Sequence, residues 1–168
     1  MREASTRTSE DLARYIEEHS IEAELVKPPH ETPSVTAAAR AVGCAPEQII
    51  KSLVFLIDGQ PYLVIANGNA RVSYRRLAAH FGVSRKRVRM ASPDEVLKLT
   101  GYPAGGVPPF GLRNPLPVLM DPGVLDQEIV YGGGGDDHTL VRIPTAELRR
   151  ITQSTLVAIV EDQRTSPP

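Results

Sequence analysis

Residues 51–66 read KSLVFLIDGQPYLVIA and contain two apolar, β-branched runs, 51–57 and 62–66. Asp58-Gly59 lies between the runs, and this dipeptide is a strong signal for a tight hairpin turn. The stretch therefore predicts two antiparallel strands at the centre of a sheet. Lys51 begins the first run, where a lysine must either extend to solvent or point into a cleft.

Helices and strands are predicted on both sides of this hairpin. Helix signals are a serine cap, a run with helical periodicity and a terminal glycine. Because strands and helices mix without strict βαβ alternation, we predict a mixed α/β fold with much antiparallel pairing. The predicted helices begin at Ser9, Ser34, Ser73, Ser92 and Thr145, and the predicted strands span 21–26, 86–90, 118–120, 129–131, 140–143 and 156–160.

Length and composition predict one domain. The chain has 168 residues, close to the usual size of a single domain, which we place at 1–160, with a disordered tail at 161–168. A single cysteine excludes an internal disulfide framework and a multi-cysteine zinc site. No apolar run approaches the ~20 residues of a membrane span. The N-terminus lacks the apolar core of a signal peptide, so the expected compartment is the cytoplasm, without a membrane partner.

The charges are segregated although the net charge is −1. No acidic residue lies between Asp58 and Asp94, whereas this stretch holds seven basic ones. Such a patch suits a polyanionic partner, because phosphate contacts release counterions. A solvated surface is the alternative. The basic residues are Arg71, Arg75, Arg76, Arg85, Lys86, Arg87 and Arg89.

Two glycine-rich segments are candidates for ligand contact. The stretch 102–117 holds five prolines and three glycines, and a stiff loop of this kind often forms the wall of a binding site. Gly132 to Gly135 lie between two predicted strands, which indicates either a flexible hairpin tip or a close approach of a ligand to the backbone. Asp136, Asp137 and His138 follow, but they form a poor ligand set for a metal.

Several motifs together resemble one family. They are 37-AAARAVG-43, 48-QIIKSLVF-55, 100-TGY-102, 105-GGVPPFG-111 and 129-IVYGGGG-135. In this order and spacing, over roughly residues 20 to 160, the chain resembles the YbaK/EbsC family, also called the prolyl-tRNA synthetase-associated or editing domain. The resemblance implies a mixed, largely antiparallel sheet that forms a partly closed barrel flanked by helices. It also implies an aminoacyl-tRNA deacylase without metal, cofactor or protein nucleophile.

The resemblance carries roles to particular residues. Lys51 matches the family's functional lysine, and we take it as the catalytic residue. The family's G-x-x-x-P loop and its small-residue turn predict an amino-acid pocket. His30 lies in a proline-rich loop and is a further candidate for this pocket; the alternative is that it is a surface histidine. The predicted substrate-binding residues are Gly105, Gly106, Val107, Pro108, Pro109, Gly133, Gly134, Gly135 and His30. The predicted tRNA-binding residues are Arg71, Arg75, Arg76, Arg85, Lys86 and Arg87.

The resemblance also implies the substrates. Members hydrolyse tRNA mischarged with small amino acids such as alanine, cysteine, serine or threonine, on tRNA-Pro or related tRNAs. The expected partner is the aminoacyl-tRNA acceptor end, with prolyl-tRNA synthetase as a second partner. Residues 107–110 read VPPF, where the Cys-tRNA deacylase branch commonly has Ile-Ser-Pro-Leu, so cysteine specificity does not carry over.

Two other functions are compatible with the residues. Residues 77–88, LAAHFGVSRKRV, resemble a helix-turn-helix with a basic second helix, which would indicate a DNA-binding module. Residues 87–90 alternate as a strand does, however, and Pro93 would cut the second helix short. The other alternative is a family member that binds tRNA or a synthetase without catalysis, which the retained Lys51 argues against.

Overall fold

The computed structural model describes residues 5–29 and 32–162 and has a mixed α/β fold. No helix among these residues has the length and apolar character needed to cross a membrane. Its helices are α1 Ser9–Glu18, α2 Val35–Val42, α3 Tyr74–Phe81, α4 Pro93–Thr100 and α5 Thr145–Thr152, with 3₁₀ turns at Pro46–Gln48, Arg85–Arg87 and Pro122–Asp126. Its strands are β1 Glu24–Val26, β2 Ile50–Ile57, β3 Gln60–Asn67, β4 Val88–Met90, β5 Val118–Met120, β6 Ile129–Gly133, β7 Leu140–Pro144 and β8 Thr155–Leu156.

The predicted hairpin is confirmed. Strands β2 and β3 pair antiparallel over their whole length, from Ile50 opposite Asn67 to Ile57 opposite Gln60. Asp58 and Gly59 both have positive φ, 50° and 81°, as the tight turn that suits the twist of a hairpin requires. This hairpin is the central pair of the larger sheet.

The predicted helix caps are confirmed at three helices, α2, α3 and α4. Each begins after a serine that accepts a hydrogen bond from the first turn and ends at a glycine in the left-handed conformation. Helix α1 differs, because Thr8 and Asp11 form a reciprocal capping box and Thr8 therefore replaces Ser9 as the cap. The confirmed caps are Ser34 with Gly43, Ser73 with Gly82, and Ser92 with Gly101.

The described strands form two sheets, in the orders β1-β7-β6 and β4-β2-β3-β5-β8. Four of the six strand pairings are antiparallel, and β5 pairs in parallel with both β3 and β8. The two sheets approach through one isolated bridge between Ile49 and Tyr131. They do not close into a ring, so the predicted partly closed barrel is not confirmed.

Strand β2 is paired differently along its two halves. Residues Phe55 to Ile57 lie between β3 and β4, and Ala91 donates a backbone hydrogen bond to Val54. No described strand pairs with residues 51–53 on the edge away from β3. The gap between β4 and β6 therefore exposes this part of β2 to a cleft.

Two apolar clusters cover the opposite faces of the larger sheet. The first joins Ile50, Val54 and Ile65 with residues of the smaller sheet and of helices α1, α4 and α5. The second joins Phe55 and Val64 with helix α3. Because side chains alternate along a strand, Lys51 shares the face of Phe55 and points toward the α3 side.

Three predicted strands are shorter than expected. Residues 21–23 precede β1, and Arg85–Arg87 form a 3₁₀ turn before β4. Strand β8 ends at Leu156 because the chain then turns toward Asp121, whose carboxylate accepts a hydrogen bond from the backbone of Ile159 at 2.9 Å. Val160 forms a separate bridge with Val72.

The helix-turn-helix alternative is wrong. Helix α3 ends at Gly82, and the residues proposed as a recognition helix form the 3₁₀ turn Arg85–Arg87 followed by strand β4. Strand β4 pairs with β2 and so belongs to the sheet. The segment therefore lacks the second helix that a helix-turn-helix inserts into the DNA groove.

Candidate active site

A cleft of about 540 Å³ opens at the unpaired half of β2. Four segments line it: the entry to helix α2, the first half of β2, the loop after α4 and the β6–β7 hairpin. Most of its side chains are small or apolar. The lining residues are Thr32, Pro33, Ser34, Val35, Ala38, Ile49, Ile50, Lys51, Ser52, Leu53, Gly105, Val107, Gly132, Gly133, Asp136, Asp137, Thr139 and Leu140.

Lys51 lies in the wall of this cleft and is half-buried. Its ammonium donates a hydrogen bond to the carbonyl oxygen of Ala70. Burial lowers the pKa of the Lys51 ammonium, and the nearby positive charge of Arg71 lowers this pKa further. The lysine thus lines the cleft, but its ammonium is directed to Ala70 on the α3 side of the sheet, where it is less solvated than that of a surface lysine.

The structure brings the loop 105–109 and the glycine hairpin together. The backbone N–H of Gly135 donates to the carbonyl of Gly106 at 3.0 Å. A side chain at Gly106 would crowd the hairpin, because a Cβ there would lie 3.0 Å from the Cα of Asp136. Of the five predicted loop residues, Gly105 and Val107 line the cleft, whereas Gly106, Pro108 and Pro109 are buried behind it.

The three predicted hairpin glycines have different surroundings. Gly133 lines the cleft together with Gly132. Gly134 and Gly135 are packed against protein backbone, since a Cβ at Gly134 would lie 2.7 Å from the carbonyl of Thr139 and one at Gly135 would lie 2.8 Å from the nitrogen of Ser9. At these two positions, therefore, neighbouring protein segments lie close to the glycine backbone, where the sequence analysis had considered a ligand.

Two carboxylates that the sequence analysis set aside also line the cleft, Asp136 and Asp137. Burial raises the pKa of Asp136, but hydrogen bonds to its carboxylate outweigh this effect and the pKa lies below its ordinary value. One of these bonds comes from the backbone N–H of His138 at 2.9 Å. The described residues contain no group of three or more side chains suited to hold a metal.

The hydroxyl of Ser52 is a further polar group that the sequence analysis missed. Its oxygen is buried at the cleft and has no hydrogen-bond partner among the described residues. The feature of the sequence that could have identified Ser52 is its position directly after Lys51, in the open half of β2. His30, a predicted site residue, lies outside the described residues.

The predicted tRNA-binding residues separate into two groups. The first surrounds two cavities beyond Lys51, of about 510 and 430 Å³. Arg71 lines the first of these, which we call the second cavity. Arg75, Arg76 and Arg85 line the other, the third cavity.

Several of these cations already have partners in the protein. Arg76 forms an ion pair with Asp162 at 2.8 Å, and the guanidinium of Arg85 lies 4.3 Å from the ring centre of Tyr74. Arg87 belongs to the second group, because it lies in the turn before β4 and beside the tip of the β2–β3 hairpin, 3.8 Å from Asp58. Lys86 precedes it in the same exposed turn.

Comparison with known proteins identifies the family of this chain. The model of the family described as "Aminoacyl-tRNA editing domain" matches residues 29–151. The Uncharacterized protein YwhH of Bacillus subtilis strain 168 is 34% identical over 127 residues, covering 74% of this chain and 79% of that protein. The Multifunctional Ser/Thr-tRNA deacylase ProXp-y of Escherichia coli K12 is 33% identical over 127 residues, covering 72% and 74%.

A solved structure has the same fold. The crystal structure of a candidate trans-editing enzyme for prolyl tRNA synthetase superposes with a TM-score of 0.85 and 32% identity, covering 92% of this chain and 97% of that one. These findings confirm the predicted resemblance and the prediction of an enzyme that hydrolyses aminoacyl-tRNA. The chain belongs to the aminoacyl-tRNA editing domain family.

Proposed function

We propose that this protein edits in trans, hydrolysing the ester of tRNAs mischarged with a small amino acid such as alanine, cysteine, serine or threonine. The observation that carries the proposal is the position of Lys51. Lys51, two glycine-rich backbone segments and a set of small side chains line one cleft. A single face of the molecule thus combines a positive charge with room for a small acyl group.

The chemistry needs little more than positioning. An aminoacyl ester is already activated, so a modest lowering of the barrier is enough. A water molecule attacks the carbonyl carbon, and the bond to the ribose oxygen then breaks. The oxygen takes a proton, and the products are a free amino acid and an uncharged tRNA. A ribose hydroxyl of the tRNA helps to activate the water, so no protein base is required.

Lys51 orients the 3′ end of the substrate in this mechanism. Its ammonium is half-buried beside the open edge of β2, where a charge acts more strongly than it would in water. The carboxylates of Asp136 and Asp137 line the same cleft and are suited to the α-ammonium group of the esterified amino acid. The loop at Gly105 and Val107 and the hairpin at Gly133 enclose the side chain.

Buried residues in the lining of the cleft support selection by the shape of the amino acid. Ala38 is 4% exposed and Val107 is 7% exposed, so neither can move aside without disturbing the core. A synthetase separates amino acids that differ by one methylene by only ~1–3 kcal/mol, and a second site that excludes the correct amino acid removes the remaining errors. Prolyl-tRNA synthetase, which risks charging alanine or cysteine, is the proposed functional partner.

The basic residues of the second and third cavities are proposed to contact the tRNA backbone. Arg71, Arg75, Arg76 and Arg85 do not line the cleft of about 540 Å³ that holds the ester in this proposal, which we call the acyl cleft. Lys86 and Arg87 would contact phosphates farther along the acceptor stem. Binding that depends on such contacts weakens as salt rises.

Deacylation of a panel of charged tRNAs tests the proposal. Wild type and Lys51→Ala are incubated with tRNAs charged with alanine, cysteine, serine, threonine or proline. We expect wild type to release one or two of the non-proline amino acids and Lys51→Ala to lose most of this activity while remaining folded. Full activity of Lys51→Ala would remove the lysine from the mechanism. tRNA binding without release of any amino acid would identify a protein that binds but does not edit.

A further inference from the structure

The segment before β1 packs behind the loop that forms one wall of the acyl cleft. Residues 5–18 precede the part of the chain that the family model matches, 29–151, so the match assigns them no role. Leu12 of this segment is fully buried in the core, and Ser9 is 5% exposed. The segment is therefore held firmly by the rest of the fold.

Arg7 joins the two ends of the cleft-wall loop. Its backbone N–H donates to the carbonyl of Gly101 at 2.7 Å, and its guanidinium donates to the carbonyl of Gly111 at 3.3 Å. Gly101 and Gly111 both have positive φ, 83° and 73°. The described residues 102–110 between them form no helix or strand. One residue thus holds, from outside, both ends of a stretch that has no strand ladder to hold it.

The side chain of Arg7 has a defined place. A Cβ at Gly101 would lie 3.0 Å both from the Cδ of Arg7 and from the Cβ of Arg113, so the stem of Arg7 fills the space beside this glycine. Tyr102 is fully buried next to it. Burial raises the pKa of the Tyr102 hydroxyl, and the neighbouring positive charge of Arg7 opposes this rise. Packing therefore restricts the guanidinium to the end of the loop at Gly111.

The same segment contacts the other wall of the cleft two residues later. A Cβ at Gly135 would lie 2.8 Å from the backbone nitrogen of Ser9. Burial raises the pKa of the Asp136 carboxyl, but hydrogen bonds, one of them from Ser9, lower it overall. The two walls also contact each other, through the hydrogen bond from Gly135 to Gly106 at 3.0 Å. Residues 7–9 therefore lie behind the junction of both walls.

We propose that Arg7 is a positioning residue of the editing reaction, which holds the loop wall of the acyl cleft in place and thereby sets which amino acids the cleft accepts. This inference rests on the proposed function, because it concerns the same cleft. Val107 is the link, since it lines the cleft, is 7% exposed and lies between the two carbonyls that Arg7 holds. Without the guanidinium, the end of the loop at Gly111 is released and Val107 can move outward. The cleft then admits an amino acid that its normal shape excludes, such as proline.

The ratio of two activities separates this role from a contribution to stability. If Arg7 only stabilised the fold, its loss would lower the active fraction of the protein. The values of kcat/KM for all substrates would then fall by the same factor, and their ratio would not change. A displaced wall instead changes the fit of one amino acid relative to another, so the ratio changes.

The test compares release of proline with release of the best substrate of the charged-tRNA panel. Arg7→Met keeps the stem and removes the donors, and we expect the ratio of kcat/KM between best substrate and proline to fall about three- to tenfold. Arg7→Lys retains a donor for Gly111 and should restore most of the ratio. Arg14→Met is the control, because Arg14 is an exposed arginine of the same segment, 3.4 Å from Asp11. An unchanged ratio in Arg7→Met, or an equal change in Arg14→Met, would overturn the inference.

Amide hydrogen exchange gives a second measurement that needs no tRNA. In the whole protein, the amides of residues 105–107 should exchange about tenfold faster in Arg7→Met than in wild type, whereas those of β3 should keep their rates. Equal exchange at 105–107 in the two proteins would show that Arg7 does not hold the wall. Faster exchange throughout the chain would indicate a loss of global stability and would also contradict the inference.

The two measurements distinguish failure of this inference from failure of the proposed function. If wild type hydrolyses the charged tRNAs but Arg7→Met keeps both the ratio and the exchange rates, the editing function stands and the role of Arg7 fails. If exchange changes as expected but wild type hydrolyses no charged tRNA, the editing function fails. The assignment of Arg7 to that reaction then fails with it, although Arg7 still holds the wall of the cleft.

Discussion

The two halves of strand β2 have the same neighbour on one edge and different neighbours on the other. The second half, Val54 to Ile57, lies between β3 and β4, and its side chains are buried on both faces. The first half, Lys51 to Leu53, is paired with β3 alone among the described strands and lines the acyl cleft with its free edge. Seven consecutive residues of one strand therefore serve two purposes.

The difference shows how a site can be built without weakening the sheet that holds it. The hairpin is stabilised by its second half, which contributes to both apolar clusters. The first half is held in place because it pairs with β3 in the same register as the second half. It can therefore carry Lys51 and Ser52 at the cleft. Rigid elements position functional groups more accurately than loops do.

Removal of a large side chain from the second half is expected to have the largest effect. Phe55 is fully buried and packs edge-on against Tyr74 with ring centres 5.2 Å apart. Phe55→Ala should lower the free energy of unfolding by about 3–5 kcal/mol, measured by urea denaturation. If the loss is below about 1 kcal/mol, the second half is not the anchor of the hairpin.

Removal of the charge from the first half is expected to affect activity and leave stability almost unchanged. Lys51→Met keeps an apolar stem and removes the ammonium, so deacylation should fall about 100-fold, or ~2.7 kcal/mol in the barrier. The free energy of unfolding should change by less than about 1 kcal/mol. Lys98→Met, at an exposed position of α4, is the control for loss of one positive charge. A comparable loss of activity in both variants would mean that only net charge matters.

Crowding of the segment opposite the first half is expected to have a smaller effect. A Cβ at Gly133 would collide with the carbonyl oxygen of Val107, whereas one at Gly132 would meet side-chain atoms of Ile50 and Pro109 at 3.3 Å. Gly133→Ala should therefore displace the loop at the cleft and lower kcat/KM about tenfold, ~1.4 kcal/mol, while Gly132→Ala should have the milder effect. Both are measured with the charged tRNA that wild type hydrolyses best. The reverse order would show that the contact between Gly133 and Val107 does not shape the cleft.

The sequence allowed prediction of those parts of the fold that depend on neighbouring residues. The Asp58-Gly59 turn and the serine and glycine caps act through local backbone geometry, so the hairpin and three helices were placed correctly. The closure of the sheets depends on contacts between distant strands, and the partly closed barrel is not confirmed. Residues 85–90 were ambiguous between helix and strand because the pairing of Val88–Met90 with β2, a distant contact, decides the structure of this segment.

The candidate site was predictable to a similar extent. Lys51 could be selected because a lysine in an apolar strand requires an explanation, and the family resemblance named the two glycine segments. Which glycine of 133–135 lines the cleft could not be predicted, because it depends in part on Ser9, a residue distant in sequence that packs against Gly135. The arginines could not be sorted for the same reason, since their grouping follows the packing of α3 against the sheet.

The smallest expected effect is a pH dependence in which folding stability and the deacylation activity that needs Lys51 change in opposite directions. The pKa of its ammonium lies below the ordinary value of 10.5, chiefly because of burial. Between that lowered pKa and 10.5 the folded protein binds fewer protons than the unfolded chain, so folding stability contributed by this residue rises with pH. Activity that needs the ammonium falls over the same interval.

We therefore expect wild type to gain stability relative to Lys51→Met while it loses deacylation, after correction for spontaneous ester hydrolysis. Lys51→Arg, which stays protonated, should keep whatever activity it has across this interval, and an identical alkaline decline in wild type and Lys51→Arg would show that another group causes it.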